Sequence, residues 1–262
     1  MPLASFVIGY HTARIENLLQ TLHFLIKYHE KEVQESQLIA LCQDNTDKLT
    51  DNQQSEMSQY VSRFGSSIRK NMDLPQMMLP KITNLGLNLS KSNKVIVLES
   101  DRILPPGYFS SVIDQIEPGI MISTSKMHHL TEPATNQQIE EKTYKFNEEY
   151  RSKENEITFR NIWSGNTAIY KKDYYDAGMM DEKYIGYGLA DCDMTQRMTK
   201  IGVKSLFRDE IELHLWHPQS TYGSGDQRQL FVDNCKRYCS TWKVALPSWA
   251  RLEVTKDKKM FM

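Results

Sequence analysis

The chain has 262 residues, with 32 Lys and Arg against 33 Asp and Glu, a formal charge of −1 and four cysteines. Such a balance lacks the basic excess of a protein that binds nucleic acid by neutralising phosphates. With 40% hydrophobic residues and a mean hydropathy of −0.55, no apolar run approaches the ~20 residues needed to cross a bilayer, and four scattered cysteines make no disulfide framework, which fits a reducing compartment.

The elements begin almost at once. Ser5 to Gly9 is a short apolar run, and after it Ile15, Leu18, Leu19, Leu22, Leu25 and Ile26 recur at helical spacing. A second run, Leu38 to Cys42, ends in the turn-rich cluster Gln43 to Asp47, and a third, Val95 to Leu98, ends in Glu99-Ser100-Asp101. Strands separated by helices imply βαβ units and a mostly parallel sheet, because parallel neighbours need a crossover connection. The predicted class is therefore α/β and Rossmann-like, a single domain. Ligands of such sheets bind beyond the carboxyl ends of the strands. Tyr10-His11-Thr12, Gln43-Asp44-Asn45 and Glu99-Ser100-Asp101 lie there, although each has a plain reading as turn chemistry.

From His128 to Arg160 the chain is polar and charged without a period of two, which predicts an exposed helical or mobile excursion. Beyond it come Trp163 to Tyr170, then Asp181 to Asp193 with two tyrosines, two glycines and four acids. A helix through Met194, Met198 and Ile201 is stopped by Gly202, and a strand-like Val203 to Leu206 leads toward His214-Leu-Trp-His217-Pro218.

Three places carry residues suited to chemistry. Glu99 and Asp101, two apart as a strand ends, share one face and can approach a hard divalent cation, which would offset the charge of a departing diphosphate. Asp191 and Asp193 have the same spacing, but at a helix start they diverge. Asp191 there is either a cap or a general base for a sugar hydroxyl, with Asp193 free to take the capping role. His214 and His217 could join Cys235 and Cys239 in a zinc site, or one histidine could complete the strand-end carboxylates. The small residues of Pro218 to Gly225 suit a lid over bound donor or an exposed connection.

In their order these pieces resemble the GT-A glycosyltransferases. The likeness is to family 2 enzymes and, in Asp181-Glu-Lys-Tyr-Ile-Gly-Tyr-Gly-Leu-Ala-Asp-Cys-Asp193, to the β-1,4-galactosyltransferase group. It implies a GT-A fold with a nucleotide-binding half over 1–101 and an acceptor-binding, catalytic half over 102–262, and an inverting, metal-assisted transfer from a nucleotide-diphosphate sugar, UDP- or GDP-linked, to a glycan or glycolipid acceptor. Glu99-Ser100-Asp101 takes the place of the family's DxD motif, with Glu99 and Asp101 on a Mn²⁺ or Mg²⁺ and Ser100 beside the donor. Tyr10, His11 and Asp44 match the nucleotide-base pocket, and Trp163, Gly165 and Asn166 the sugar site. Asp191 matches the catalytic base, and His217, or His214 in its place, the histidine that completes the metal site.

Three departures stand out. Glu99 replaces the usual first Asp, Ser164 replaces a common Gly, and Ala190 stands where many members carry a Glu. The Ala190 and Glu99 changes motivate a second reading, a non-catalytic nucleotide- or glycan-binding protein with the same shape. Without a signal-peptide pattern before Ser5, a cytosolic bacterial or viral enzyme, at most peripheral to the membrane, is expected. Asp44, Glu99, Asp101 and Asp191 together predict a locally negative cleft within a neutral chain.

Overall fold

The three apolar runs of the first hundred residues are strands in the computed structural model, which describes residues 1–76, 78–150, 166–218 and 225–246. β1 (Ser5–Tyr10), β2 (Gln37–Cys42), β3 (Ser66–Asn71) and β4 (Lys94–Glu99) lie parallel in the order β3-β2-β1-β4. Alternate residues go to opposite faces. Phe6, Ile8, Leu38, Ala40, Ile96 and Leu98 join one core, while Val7, Ile39, Leu41 and Val95 join the other. Burial on both faces is why these strands read as continuous apolar runs, and each fully buried Leu, Ile or Val contributes roughly 1.5–3 kcal/mol. β3 carries no such signature because it is the half-exposed edge.

The first core lies against α1 (Ile15–Tyr28), α3 (Asp51–Val61) and α5 (Tyr108–Gln115), with Phe6 edge-on to both Phe64 and Phe109. The second lies against α4 (Leu79–Leu89), α7 (Lys171–Asp176), α8 (Ala190–Lys200) and α9 (Gly225–Trp242). Helix α4 rides so close to β1 that a Cβ on Gly86 would stand 2.1 Å from Val7 Cγ1. A short α2 (Glu30–Glu35) bridges α1 and β2.

Beyond β4 the sheet is mixed. β8 (Asn166–Tyr170) runs antiparallel to both β4 and β6 (Ile120–Leu130), and β9 (Lys204–His214) runs parallel to β6. The two-residue β5 (Arg102–Ile103) closes the sheet antiparallel to β9. The expected helical or mobile excursion after His128 needs correction over its described part. β6 continues to Leu130, a five-residue α6 (Asn136–Glu140) follows, and β7 (Phe146–Tyr150) pairs back on β6, its charged side chains carried on an outlying strand. The strand expected at Val203 to Leu206 is longer than its apolar stretch and reaches His214.

Among the described residues no helix is long and apolar enough to cross a membrane.

Candidate active site

Parallel register aligns three strand ends on one edge. Gly9 pairs with Leu41 on one side and Glu99 on the other, so Tyr10, Asp44 and Glu99-Ser100-Asp101 all emerge at the carboxyl edge of the sheet. β5 then sets Arg102 opposite His214, and the Leu215 amide donates to the Asp101 carbonyl at 2.9 Å. This pairing brings His214 and His217 to Asp101.

The result is one tight donor group. Asp101 Oδ2 lies 3.5 Å from His214 Nε2 and 3.4 Å from His217 Nε2, and the two imidazole nitrogens are 3.1 Å apart. An octahedral ion with bonds of about 2.1 Å holds adjacent ligand atoms about 3.0 Å apart, so the spacing fits a single divalent cation. Burial would push the Asp101 carboxyl up, but the adjoining His214 ring and the charge of Arg102 outweigh it and hold it below the usual carboxylate range. Burial, reinforced by Arg102, lowers the His214 pKa against the pull of Asp101, which favours the neutral ring that a metal needs.

Glu99 stands outside this group. Its carboxylate is gripped by Arg102, whose Nε donates at 2.9 Å, and the side chains close enough to share an ion with Asp101 are the two histidines instead. Ser100 is buried, and its carbonyl accepts from the Thr21 hydroxyl at 3.1 Å. The four-residue zinc set is not assembled: among the described residues, Asp101, His214 and His217 are the group that could hold an ion, and Cys235 and Cys239 lie on α9.

The expected base-pocket residues take different settings, although His11 Nε2 stays 3.7 Å from Asp44 Oδ2. Tyr10 lines a small cavity of about 250 Å³ with Thr46, Arg69, Lys70 and Asn71 at the ends of β1, β2 and β3. Asp44 is instead taken up by its neighbours, accepting from the Thr12 amide at 3.0 Å, the Thr12 hydroxyl at 2.5 Å and Lys48 at 3.0 Å. Burial opposes ionisation of Asp44, but these bonds prevail and its pKa falls. His11 caps the turn after β1, accepting from the Ala13 amide at 3.0 Å. Three of the four acids of the expected negative cleft have cationic partners: Lys48 answers Asp44, Arg102 answers Glu99, and Arg14 and Arg102 answer Asp101. A larger cleft of about 450 Å³ flanks the donor group, lined by Asn17, Gln20, Tyr60, Asn136, Trp216 and Pro218 among others.

Asn166, expected in the sugar site, is a core residue. At 1% exposure it accepts from the Tyr108 hydroxyl at 2.8 Å, and its amide donates to Glu212, so the side chain is spent inside the sheet. Trp163, Gly165 and the substituted Ser164 lie outside the described residues, as does most of the expected lid, 219–224.

The long acidic-aromatic motif divides into support and presentation. Asp181 pairs with Arg237, Glu182 accepts from Asn84, and Tyr184 is buried beneath the Arg237 guanidinium. Gly186, Gly188 and Leu189 all have positive φ. A Cβ on Gly188 would meet the Phe231 ring at 2.7 Å, and the Asn234 amide donates to the carbonyls of Ile185 and Tyr187, so α9 holds this turn in place. Half-buried Asp191 follows as the second residue of α8. Asp193 is not a cap. It accepts from Arg197 Nε at 2.6 Å and from the Trp242 indole at 2.8 Å, while the cap position is Leu189.

A run of parallel strands joined to a mixed sheet, with Asp101, His214 and His217 gathered at the carboxyl edge of the parallel part, is the GT-A fold of glycosyltransferases. Two solved structures have it in common with this chain. The crystal structure of GalNAc-T7 with UDP, GalNAc and Mn²⁺ superposes with a TM-score of 0.63 at 15% identity, covering 89% of this chain and 47% of that one. That of S. aureus TarS gives 0.59 at 11% identity, covering 91% and 40%. This chain therefore spans less than half the length of either. The family described as the N-terminal domain of galactosyltransferase matches residues 145–217, from β7 to the second histidine. No curated protein matches the chain by sequence.

Proposed function

We propose that this protein is an inverting glycosyltransferase that moves a sugar from a nucleotide-diphosphate donor to a hydroxyl of a glycan or glycolipid acceptor. The observation that carries the reading is the convergence of Asp101, His214 and His217 on one point at the carboxyl edge of the parallel strands. Two imidazoles and one carboxylate suit Mn²⁺ better than Mg²⁺, which prefers oxygen. When bound, the ion supplies positive charge opposite the donor diphosphate.

The chain's own groups then have distinct tasks. Tyr10, Thr46, Arg69 and Asn71 offer a cavity of aromatic, hydroxyl and amide character for the nucleobase. The Asp191 carboxylate accepts the proton of the acceptor hydroxyl. The freed oxygen bonds to the anomeric carbon from the face opposite the leaving group, and the bond from that carbon to the phosphate oxygen breaks. Nucleoside diphosphate departs with the bonding pair, and the proton stays on Asp191.

A thermal-shift screen of nucleotide sugars with and without Mn²⁺ tests donor binding, since a ligand of the native state raises its apparent stability. Turnover of the donor so found tests the chemistry: Asp191→Asn is expected to lose at least ~100-fold in kcat with donor binding retained. Wild-type-like transfer by that variant removes Asp191 from the base role. Donor binding by the wild type with no turnover on any acceptor favours the non-catalytic reading that Ala190 and the captured Glu99 motivate.

A further inference from the structure

The β6–β9 register places His129 beside His214, and the pairing of β6 with β7 brings Glu149 within reach of His129. His129 Nδ1 is 2.7 Å from His214 Nδ1, and His129 Nε2 is 2.6 Å from Glu149 Oε2. Neither residue belongs to the donor group itself.

Carboxylates stand at both ends of this chain, but Glu149 is 2.6 Å from His129 Nε2 whereas Asp101 is 3.5 Å from His214 Nε2, so the shorter outer contact sets proton placement. A carboxylate only accepts, so the nitrogen facing Glu149 carries the proton, and a neutral His129 ring then has its lone pair on Nδ1. The nitrogen 2.7 Å away, His214 Nδ1, must donate to that lone pair. His214 Nε2 is thereby left without a proton, and it is Nε2 that faces Asp101 and His217. The opposite tautomer would aim N–H at the ion. A half-exposed ion pair adds little stability by itself, so the consequence of this arrangement is orientation and tautomer.

We infer that His129 and Glu149 are positioning residues, a carboxylate–imidazole relay that holds His214 in the tautomer presenting its Nε2 lone pair to a divalent cation. The inference rests on the metal reading above. It assigns a task to two residues of the segment that reads, in the sequence, as an excursion.

The test measures Mn²⁺ affinity from the electron paramagnetic resonance of free Mn²⁺, and ring tautomers by long-range ¹H–¹⁵N correlation in the metal-free protein. His129→Phe keeps a ring of similar size and removes the acceptor, so it is expected to bind Mn²⁺ about 10- to 100-fold more weakly. His129→Gln, whose amide can both accept from His214 and donate to Glu149, is expected to recover most of that loss. The wild-type spectrum should show His129 protonated at Nε2 and His214 at Nδ1. If His129→Phe does not fold, Glu149→Leu at the half-exposed end carries the same test, with mixed His129 tautomers and affinity lowered at least threefold. Binding within twofold of wild type in the folded variants, or His214 protonated at Nε2 in the wild type, overturns the relay alone. A wild type that binds no Mn²⁺ overturns the metal reading beneath it.

Discussion

Arg102 is the electrostatic centre of the site, and removing its charge is the most informative perturbation. The side chain is 5% exposed, and its guanidinium is shared by Glu99 at 2.9 Å, Asp101 at 3.3 Å and Glu212 at 3.5 Å. At an effective dielectric constant near 20, each unit pair at such distances is worth about 5 kcal/mol of attraction, offset by the several kcal/mol needed to dehydrate each ion. Arg102→Met keeps the stem and most of the volume but takes away the counter-charge. Asp101 retains Arg14 at 3.3 Å, whereas Glu212, fully buried, keeps hydrogen bonds from Thr124 and Asn166 but loses its ion pair. Breaking one partner of a buried set costs about 3–5 kcal/mol, so the urea midpoint at pH 7.5 should fall by that amount divided by the wild-type slope. Adding Glu212→Gln to Arg102→Met should restore at least about 1 kcal/mol, as expected for directly coupled charges. Arg102→Met within about 0.5 kcal/mol of wild type would refute this account of the buried network.

Two further outcomes follow from the geometry. His29, 2% exposed and edge-on to Phe109, has its pKa pushed down to about 4 by burial. Because the folded value lies below the unfolded ~6.5, its contribution is complete above that pH and lost as pH falls toward 4, about 3 kcal/mol in all; urea denaturation of His29→Leu should show a correspondingly flatter pH dependence between 7.5 and 4. If Asp101, His214 and His217 hold Mn²⁺ as proposed, wild-type stability is expected to rise with it, by about 2.7 kcal/mol at a hundred times the dissociation constant. His217→Ala or excess chelator should abolish that gain in thermal denaturation, and an undiminished Mn²⁺ shift in His217→Ala would exclude the ligand.

Much of the fold is legible in the sequence because parallel strands buried on both faces leave uninterrupted apolar runs. Phe6 to Ile8, Leu38 to Cys42 and Val95 to Leu98 are such runs, and the polar residues after them mark the edge where the donor group lies. Edge and outlying strands leave no such trace. β3 and β7 are polar or charged because, among the described residues, one side of each is unpaired in the sheet, so pattern alone reads them as loop or helix.

The site divides along the same line. Local spacing singles out Asp101 as a ligand type and the His214, His217 pair as imidazoles, and the glycines of 186–188 mark the turn that precedes Asp191. Two-residue β5 has no periodicity to detect, yet its pairing with β9 decides that both histidines, rather than Glu99, meet Asp101. The same network commits Glu99 to Arg102, Asn166 to Tyr108 and Glu212, and Asp193 to Arg197 and Trp242. Which acids remain for a ligand is a question of counter-charges contributed from distant parts of the chain. Composition fixed the net charge near zero, and side-chain period fixed the strands; only the packed sheet, by setting each acid against or apart from a cation, determined where charge is spent and where it is available.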